Sequence, residues 1–535
     1  MKKKLTILLL FCTLIFSGCS KGDGENNNFT VSGGVDQSQE ENRVLTLSMR
    51  VPETLNPLRN KEETVDTILK LIYQPLIAFD EAGKPCPSIA ESWSFSKDGR
   101  TFSIQLRSDI TWQNGSHLTA DDVAFSIETI RGAEEDTVYK KVLNYVSGYS
   151  KTGQYSLDIH FSASFSKNLG ALNFPVISAS YYQGQTDPKS GVNMSPMGSG
   201  PYSMQSYSMA SEMKLKANPS YVGGEPKIET ISVRTTGGAE TDVYAFAQGM
   251  TDIIVTDAIE TGRYTDEGVS GVHQFPSNQY DFIGFNFHDP LFQDKSMRQA
   301  IAYALPKKAI CDNVYLQYAQ TTSTPVSPSS WLYEENVAPF DYDTDMAATL
   351  LKNIGWVDNN GDGRLEKNGE DGLEQLHVRI LANQENGARK QVATKLRDEL
   401  TLLGFDVSLD LLPFEQYQEK FTTGDFDLVV GGWQMSPVTD LYSFFGSSGS
   451  LNYIGYQDEQ MDALLLAANQ AIGDGETLLA YSSLQKRIAE ELPYISIVYR
   501  NEAMFTSNRV GGIVVPTEEN IFYTINQWTF GSKKE

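Results

Sequence analysis

Apolar residues recur along this chain at two spacings, every second residue and every third or fourth, and the switch between them marks its elements. From Phe282 to Phe287 the alternation is strict: Phe282, Gly284 and Asn286 take one face, Ile283, Phe285 and Phe287 the other, which predicts a strand. Asp289 and Pro290 end it. Asp294 then caps a helix with Met297, Ile301, Ala304 and Leu305 on one stripe, which places Arg298 off the buried side, and Pro306 opens a second helix carrying Ala309, Ile310 and Val314. Before this junction the pattern predicts a strand at 43–49, a helix at 64–73 and a hairpin of 93–95 with 101–106 turning at Asp98 and Gly99. Thr119 and Asp122 form a capping-box variant ahead of Val123, Ile127 and Ile130, and a further strand covers 155–161. Short strands and turns fill 197–233, followed by a helix at 243–248 and a strand at 252–255. After the junction come a strand at 377–382, a helical stripe of Val392, Leu396, Leu400 and Leu403 stopped by Gly404, and an alternating strand at 405–411. An apolar strand at 426–430, helices at 460–470 and 477–491, and a strand at 494–499 complete the chain. Strand, helix, strand in that order predicts a partly parallel sheet, hence an α/β protein of mixed sheets flanked by helices. No internal repeat is visible.

Length adds that 535 residues exceed one hydrophobic core, so two or three domains are expected. The N-terminus is a targeting segment: Lys2, Lys3 and Lys4 precede an apolar run, 5–16, too short to span a bilayer. Residues 14–19, LIFSGC, resemble a bacterial lipobox, which implies lipidation of Cys19 after removal of residues 1–18; Phe16 stands where a small residue is usual, and a plain secretory signal is the alternative. Two acyl chains hold a protein on a membrane where one binds reversibly, and the polar stretch up to Asn42 reads as a flexible tether. The formal charge is -25, and losing residues 1–18 removes three lysines and no acid. Such a surface excludes nucleic-acid binding, makes the lipid the only membrane contact, and suits solubility outside the cell or a cationic ligand. With Cys12 and Cys19 accounted for, Cys86 and Cys311 give neither a disulfide framework nor a metal spacing and read as buried apolar residues.

In this order the segments resemble the family 5 extracellular solute-binding proteins of ABC importers, the dipeptide, oligopeptide and nickel-binding group. The resemblance is carried by LNP at 55–57, IAESW at 89–93 with KDG at 97–99, and LRSDITW at 106–112 with LTADDV at 118–123. It continues in GSGPY at 198–202 with NPSY at 218–221, FN at 285–286 with MRQAI at 297–301, and GDFD at 424–427 with GW at 432–433. It implies a two-lobed periplasmic-binding-protein-like fold of type II with an extra inserted domain. Lobe I would comprise 43–58, 185–285 and 500–535 with 59–184 inserted, and lobe II 286–499, so that the chain crosses near Asn286 and near Arg500. It further implies a monomer that binds a peptide or other small solute, without a cofactor and without catalysis, and passes it to a membrane permease. A nickel complex, haem or an oligosaccharide remains open as cargo.

A site of this kind is aromatic and polar. At 431–437, GGWQMSP, an apolar strand stops at two glycines and delivers Trp433, Met435 and Ser436 to one end of a sheet; a tryptophan packed in the core beside a tight turn is the plain alternative. Family peptide binders often carry an aspartate three residues after the tryptophan, where it pairs with the peptide's amino terminus, but here that position is Ser436. Asp440 either substitutes for it or caps the next helix. Leu55, Tyr73, Tyr280, Asn286 and Tyr453 are the remaining candidates. Asp358, Asn360 and Asp362 match the first half of an EF-hand loop, yet the twelfth position is Gly369, with Glu366 and Glu370 on either side, so a hairpin turn competes with calcium binding. The five histidines, at 117, 160, 273, 288 and 377, are scattered, with no zinc pair and no serine elbow; an acidic chain still offers carboxylate pairs for a surface-anchored hydrolase.

Overall fold

A computed structural model describes residues 43–163, 168–209, 211–257, 269–338, 340–369, 372–435 and 440–531. The targeting segment, Cys19, the tether, Ser436 and Glu370 lie outside the described residues. Buried side chains form two large bodies: one core draws on Leu45 through Phe275 and again on Met504 through Trp528, two further clusters lie between Tyr280 and Tyr499, and a small fourth joins Phe246 and Ile254 to Ala503 and Phe505.

In the first body β1 (Leu45–Met49) buries Leu45, Leu47 and Met49 on one face. Helix α1 (Glu63–Leu69) leads to the two-stranded β2 (Ile77–Phe79) and β3 (Pro85–Pro87). The hairpin of β4 (Ala90–Phe95) and β5 (Thr101–Leu106) turns through Gly99 at φ +64°, a conformation glycine adopts freely. Helix α2 (Ala120–Arg131) starts as its sequence predicts, the Thr119 amide donating to Asp122 Oδ2 at 2.9 Å, and buries Val123, Ile127 and Ile130. β6 (Val146–Gly153) and β7 (Ser156–Phe161) complete a sheet of order β4-β5-β7-β6. A second four-stranded sheet joins β8 (Tyr202–Ser208), β9 (Glu212–Ala217) and β10 (Thr230–Thr235) to β1, which pairs with β10 in parallel across 186 residues of sequence separation at Leu45 and Ile231.

The bodies are joined by a ribbon. β11 (Ile253–Asp257) pairs with the far end of a long strand near the C-terminus, and β12 (Val269–Phe285) runs antiparallel to that same strand for most of its 17 residues. Helix α3 (Lys295–Tyr303), the short β13 (Ala319–Thr321) and a two-stranded hairpin of β14 (Glu366–Gly369) and β15 (Gly372–Gln375) follow. β16 (His377–Asn383), helix α4 (Gly387–Leu402) and β17 (Asp406–Leu412) make the expected parallel crossover, with Gly404 at φ +95° ending the helix. β18 (Leu428–Gln434), helices α5 (Leu441–Phe445), α6 (Glu459–Gln470) and α7 (Asp474–Glu491), and β19 (Tyr494–Ser507) close a seven-stranded sheet of order β11-β19-β12-β18-β16-β17, with β13 also on β19.

Three expectations are corrected. Arg298 is buried at 3% exposure rather than off the stripe, because its guanidinium is saturated by carbonyls: Glu491 at the end of α7 (3.0 and 2.7 Å), Phe292 (2.8 Å) and Gln293 (3.0 Å). A cation at a helix C-terminus, over the Phe287 ring at 5.0 Å, is well placed there. Cys86 and Cys311 are only half-buried, the first on a two-stranded ribbon, the second donating to the Ala319 carbonyl at 3.2 Å. The strand expected to stop at Gly431 and Gly432 continues through both to Gln434. These glycines serve close approach: a Cβ at 431 would sit 2.8 Å from the Phe282 ring, and one at 432 would collide with the Arg389 guanidinium and the Asp281 carboxylate.

Candidate functional site

Where the two bodies face each other there is a cavity of about 360 Å³. The first body supplies the turn between β2 and β3, residues 80–83, and the C-terminal segment 515–519; the second supplies residues around Val326 and Leu332, with Met435, Leu441 and Tyr481; the crossing strands form the floor with residues 274–278 and Tyr499. The floor is irregular for a physical reason. Pairing of β12 with β19 shifts register between Pro276 and Tyr280, where proline cannot donate to the ladder, and the Ser277 hydroxyl bonds to the Arg500 carbonyl at 2.9 Å.

The cavity is acidic. Asp80, Glu81, Glu518 and Glu519 line it, and among the described residues no Lys, Arg or His does. Burial, and then the neighbouring Glu519 charge, push the Glu518 carboxyl above its ordinary 4.5. Gln434 Nε2 reaches Glu518 Oε1 at 3.4 Å from the other body, and Asn278 Nδ2 reaches Glu519 Oε1 at 3.4 Å. Asp80 is partly occupied by its own turn, accepting the amides of Ala82 and Lys84 at 2.9 Å each.

That turn also touches the second body. The Trp331 amide donates to the Ala82 carbonyl at 3.0 Å, Lys84 Nζ meets Asp474 Oδ2 at 2.6 Å, and the same ammonium lies 5.4 Å from the Trp331 ring centroid. Beneath the floor a charge cluster pins β12 to its surroundings. Asp281, fully buried, accepts Arg389 Nε at 2.8 Å on one oxygen, and Arg500 Nε at 2.7 Å and the Tyr315 hydroxyl at 2.7 Å on the other. Although burial opposes its charge, the two arginines and Tyr315 hold this carboxyl below its ordinary 3.8.

Of the candidates read from sequence, the cavity gathers Met435. Trp433 sits in an aromatic stack with Phe444 (4.9 Å), Phe421 (5.7 Å) and Phe282 (6.0 Å), and Tyr453 packs on Phe421 at 5.3 Å. Tyr280 is fully buried with its hydroxyl 2.6 Å from that of Ser496. Asn286 donates to the carbonyls of Gly424 (3.1 Å) and Phe426 (2.8 Å), tying β12 to the approach of β18. Asp440 caps α5 through the Tyr442 amide at 3.1 Å and accepts Asn469 Nδ2 at 3.0 Å. Leu55 is buried in the first core, and Tyr73 lines a different cavity there. Nothing in the sequence marks Glu518 and Glu519, because an acidic pair after Pro516 near the C-terminus has no periodicity; only the fold returns it beside residues 80–83.

Asp358, Asp362 and Glu366 place carboxylate oxygens within 4.8 Å of one another. Both Asp358 oxygens accept amides of the turn, Gly361 at 2.7 Å and Gly363 at 3.0 Å, Asn360 Oδ1 accepts the Asp362 amide at 2.8 Å, and its Nδ2 donates to Glu366 Oε1 at 2.8 Å. The turn thus satisfies much of its own acceptor capacity.

Residues 84–452 match the family model for bacterial extracellular solute-binding proteins, family 5 (middle region). The oligopeptide-binding protein AppA of Bacillus subtilis is 26% identical over 99% of both chains, and heme-binding protein A of Haemophilus influenzae 23% identical over 98% and 99%. Among solved structures, that of a nickel ABC transporter protein from Bacillus halodurans superposes with a TM-score of 0.78 at 20% identity, covering 91% of this chain and 99% of that one, so the two-lobed fold is shared.

Proposed function

The chain belongs to the family 5 bacterial extracellular solute-binding proteins, and from that membership we propose that it captures peptides between its two lobes and delivers them to an ABC permease. The observation that carries this reading is the 360 Å³ cavity walled by both bodies and floored by the strands that join them. Within the lining, Asp80, Glu81, Glu518 and Glu519 favour a solute that presents a cation, which an extended peptide does at its amino terminus and at basic side chains. The floor carries the break in the pairing of β12 with β19 between Pro276 and Tyr280, and we take that break, beside the cavity, as the place where an extended peptide backbone lies whatever its sequence. Side-chain ligation of a metal is not the reading we adopt, since no His or Cys lines this cavity among the described residues.

We place the hinge where the core changes, between Phe275 and Tyr280 on β12 and between Tyr499 and Met504 on β19, somewhat before Asn286 on the first crossing. Solute then shifts the population toward the closed form to the extent that it binds that form better. Lys2 to Lys4, the apolar run and Cys19 support a lipid tether on the outer face of the cell membrane.

Mass spectrometry of solute released from purified protein tests the cargo, with small peptides the expected finding and a metal complex or sugar the contrary one. X-ray scattering with and without that solute tests closure: the radius of gyration falls on saturation, and unchanged dimensions count against it.

A further inference from the structure

Three buried carboxylates of this protein each have a cation at close range: Asp281 has Arg389 at 2.8 Å and Arg500 at 2.7 Å, Asp252 has Arg509 at 2.9 Å, and Glu399 has Lys395 at 2.6 Å. The carboxylates lining the cavity between the lobes are left otherwise. Among the described residues none of Asp80, Glu81, Glu518 and Glu519 is ion-paired, and the neighbouring lysines are committed elsewhere, Lys84 to Asp474 at 2.6 Å, Lys70 to Asp66 at 3.4 Å and to the Glu519 carbonyl at 2.8 Å. Side-chain donors reach Glu518 and Glu519 only as neutral amides at 3.4 Å each, longer than the ~2.7–2.9 Å of a charge-assisted bond. All four acids stand on the first body, and the opposite wall cancels none of their charge, since it offers Ser327, Ser329, Ser330 and Gln320 beside apolar groups. One ammonium therefore leaves the cavity negative. A second positive group finds a further partner, whereas a carboxylate in the same space meets like charge and no counter-ion. A compact space of 360 Å³ is roughly 7 to 9 Å across, which two to three extended residues span.

We propose that the site reads charge twice: it holds two positive groups of one solute, the amino terminus of a peptide and a lysine or arginine side chain among its first three residues, and leaves the peptide's terminal carboxylate outside. In this peptide form the inference rests on the function proposed above; the preference for two cations does not, because it follows from the lining alone.

Calorimetry on the full chain, freed of co-purified solute, compares alanine tetrapeptides carrying lysine at the first, second or third position with those carrying norleucine there, which keeps the apolar stem and removes the charge. At one position or more lysine is expected to bind about tenfold tighter than norleucine, and glutamate at that position about tenfold weaker. A peptide ending one residue after the preferred lysine is expected to gain about tenfold when its carboxyl is amidated. Glu518→Gln with Glu519→Gln, or Glu81→Gln, should bring the ratio of lysine to norleucine toward one at an unchanged melting temperature; if a variant melts early, the series on the wild type decides. Equal affinities at all three positions, no gain on amidation, or a ratio unchanged in both variants overturns the proposal. If no tetrapeptide binds, the peptide function fails by itself, and the charge preference is read with butane-1,4-diamine against butylamine: tighter binding of the diamine upholds it, and equal or absent binding overturns it.

Discussion

At the scale of single residues, Asp281 shows what sequence does and does not carry. It lies in an apolar strand whose aromatic alternation is plain, yet its partners Arg389 and Arg500 are 108 and 219 residues away, and nothing local announces them. The aromatic and glycine positions were legible as pattern; their purpose was not, because Gly432 answers to a guanidinium arriving from another element. Trp433 illustrates the same limit, since an indole stacked among Phe282, Phe421 and Phe444 and one presented to a ligand look identical in a string of letters. Replacing Asp281 by Asn leaves two largely buried guanidinium groups without their counter-charge, and the expected loss is about 3–5 kcal/mol in urea unfolding. The pH dependence has a definite sign. A carboxyl held below 3.8 in the folded state contributes stability fully above its unfolded value, and that contribution is lost as pH falls through the lower folded value. The wild type should therefore weaken below about pH 4 more steeply than Asp281→Asn, and parallel acid limbs for the two proteins would contradict the role assigned to this cluster.

At the scale of elements, helices with caps and hairpins with glycine turns were readable, because their signals are local: Thr119 with Asp122, and Asp98 with Gly99. The sequence pattern predicts β19 only as far as Tyr499, although the strand runs to Ser507, because Arg500, Asn501, Glu502 and Thr506 break the apolar pattern. Arg500 and Thr506 find partners across on β12, Arg500 Nε donating to Asp281 Oδ2 at 2.7 Å and the Thr506 hydroxyl lying 3.4 Å from His273 Nε2, and strand pairing of that range has no sequence signature. The turn between β2 and β3 is another such element, ordinary in sequence but seated on the opposite body. Its Lys84 to Asp474 pair is substantially exposed, 40% and 64% at the side chains, so it is worth about 0.2–1 kcal/mol rather than a deep lock. Lys84→Ala should accordingly speed solute dissociation by no more than about fivefold at low salt, with the difference shrinking as added salt screens the pair. Stopped-flow release of the co-purified solute measures this. An acceleration that persists undiminished in high salt would mean that the turn holds the lobes through Trp331 packing and backbone contact instead.

At the scale of the whole molecule, charge acts at two ranges that can be separated. The formal charge of -25 is spread over the surface and beyond about 8 Å is screened at physiological salt, so it steers encounter and not residence. Asp80, Glu81, Glu518 and Glu519 line the cavity, where screening is weaker, so on the proposed peptide reading they are the charges expected to set residence. For a peptide with a free amino terminus, raising salt should lower the association rate far more than it raises the dissociation rate, and N-acetylation of the same peptide should do the reverse. Acidity probes the inner range alone. Because burial and Glu519 raise the Glu518 carboxyl above 4.5, it takes up a proton at higher pH than an ordinary glutamate does, and its attraction for an amine is lost as pH falls through that raised value. Affinity for the free-amine peptide should thus decline as pH falls toward that raised value, at higher pH than an ordinary glutamate would give, while that of the acetylated peptide holds steady, and Glu518→Gln should flatten the first profile onto the second. A bound cation also favours the ionised carboxylate, so calorimetry in buffers of different ionisation heat should detect proton release on binding near the raised value. Absence of that release, with an unchanged profile in Glu518→Gln, would move charge recognition to Asp80 and Glu81, on the turn that already meets the second lobe.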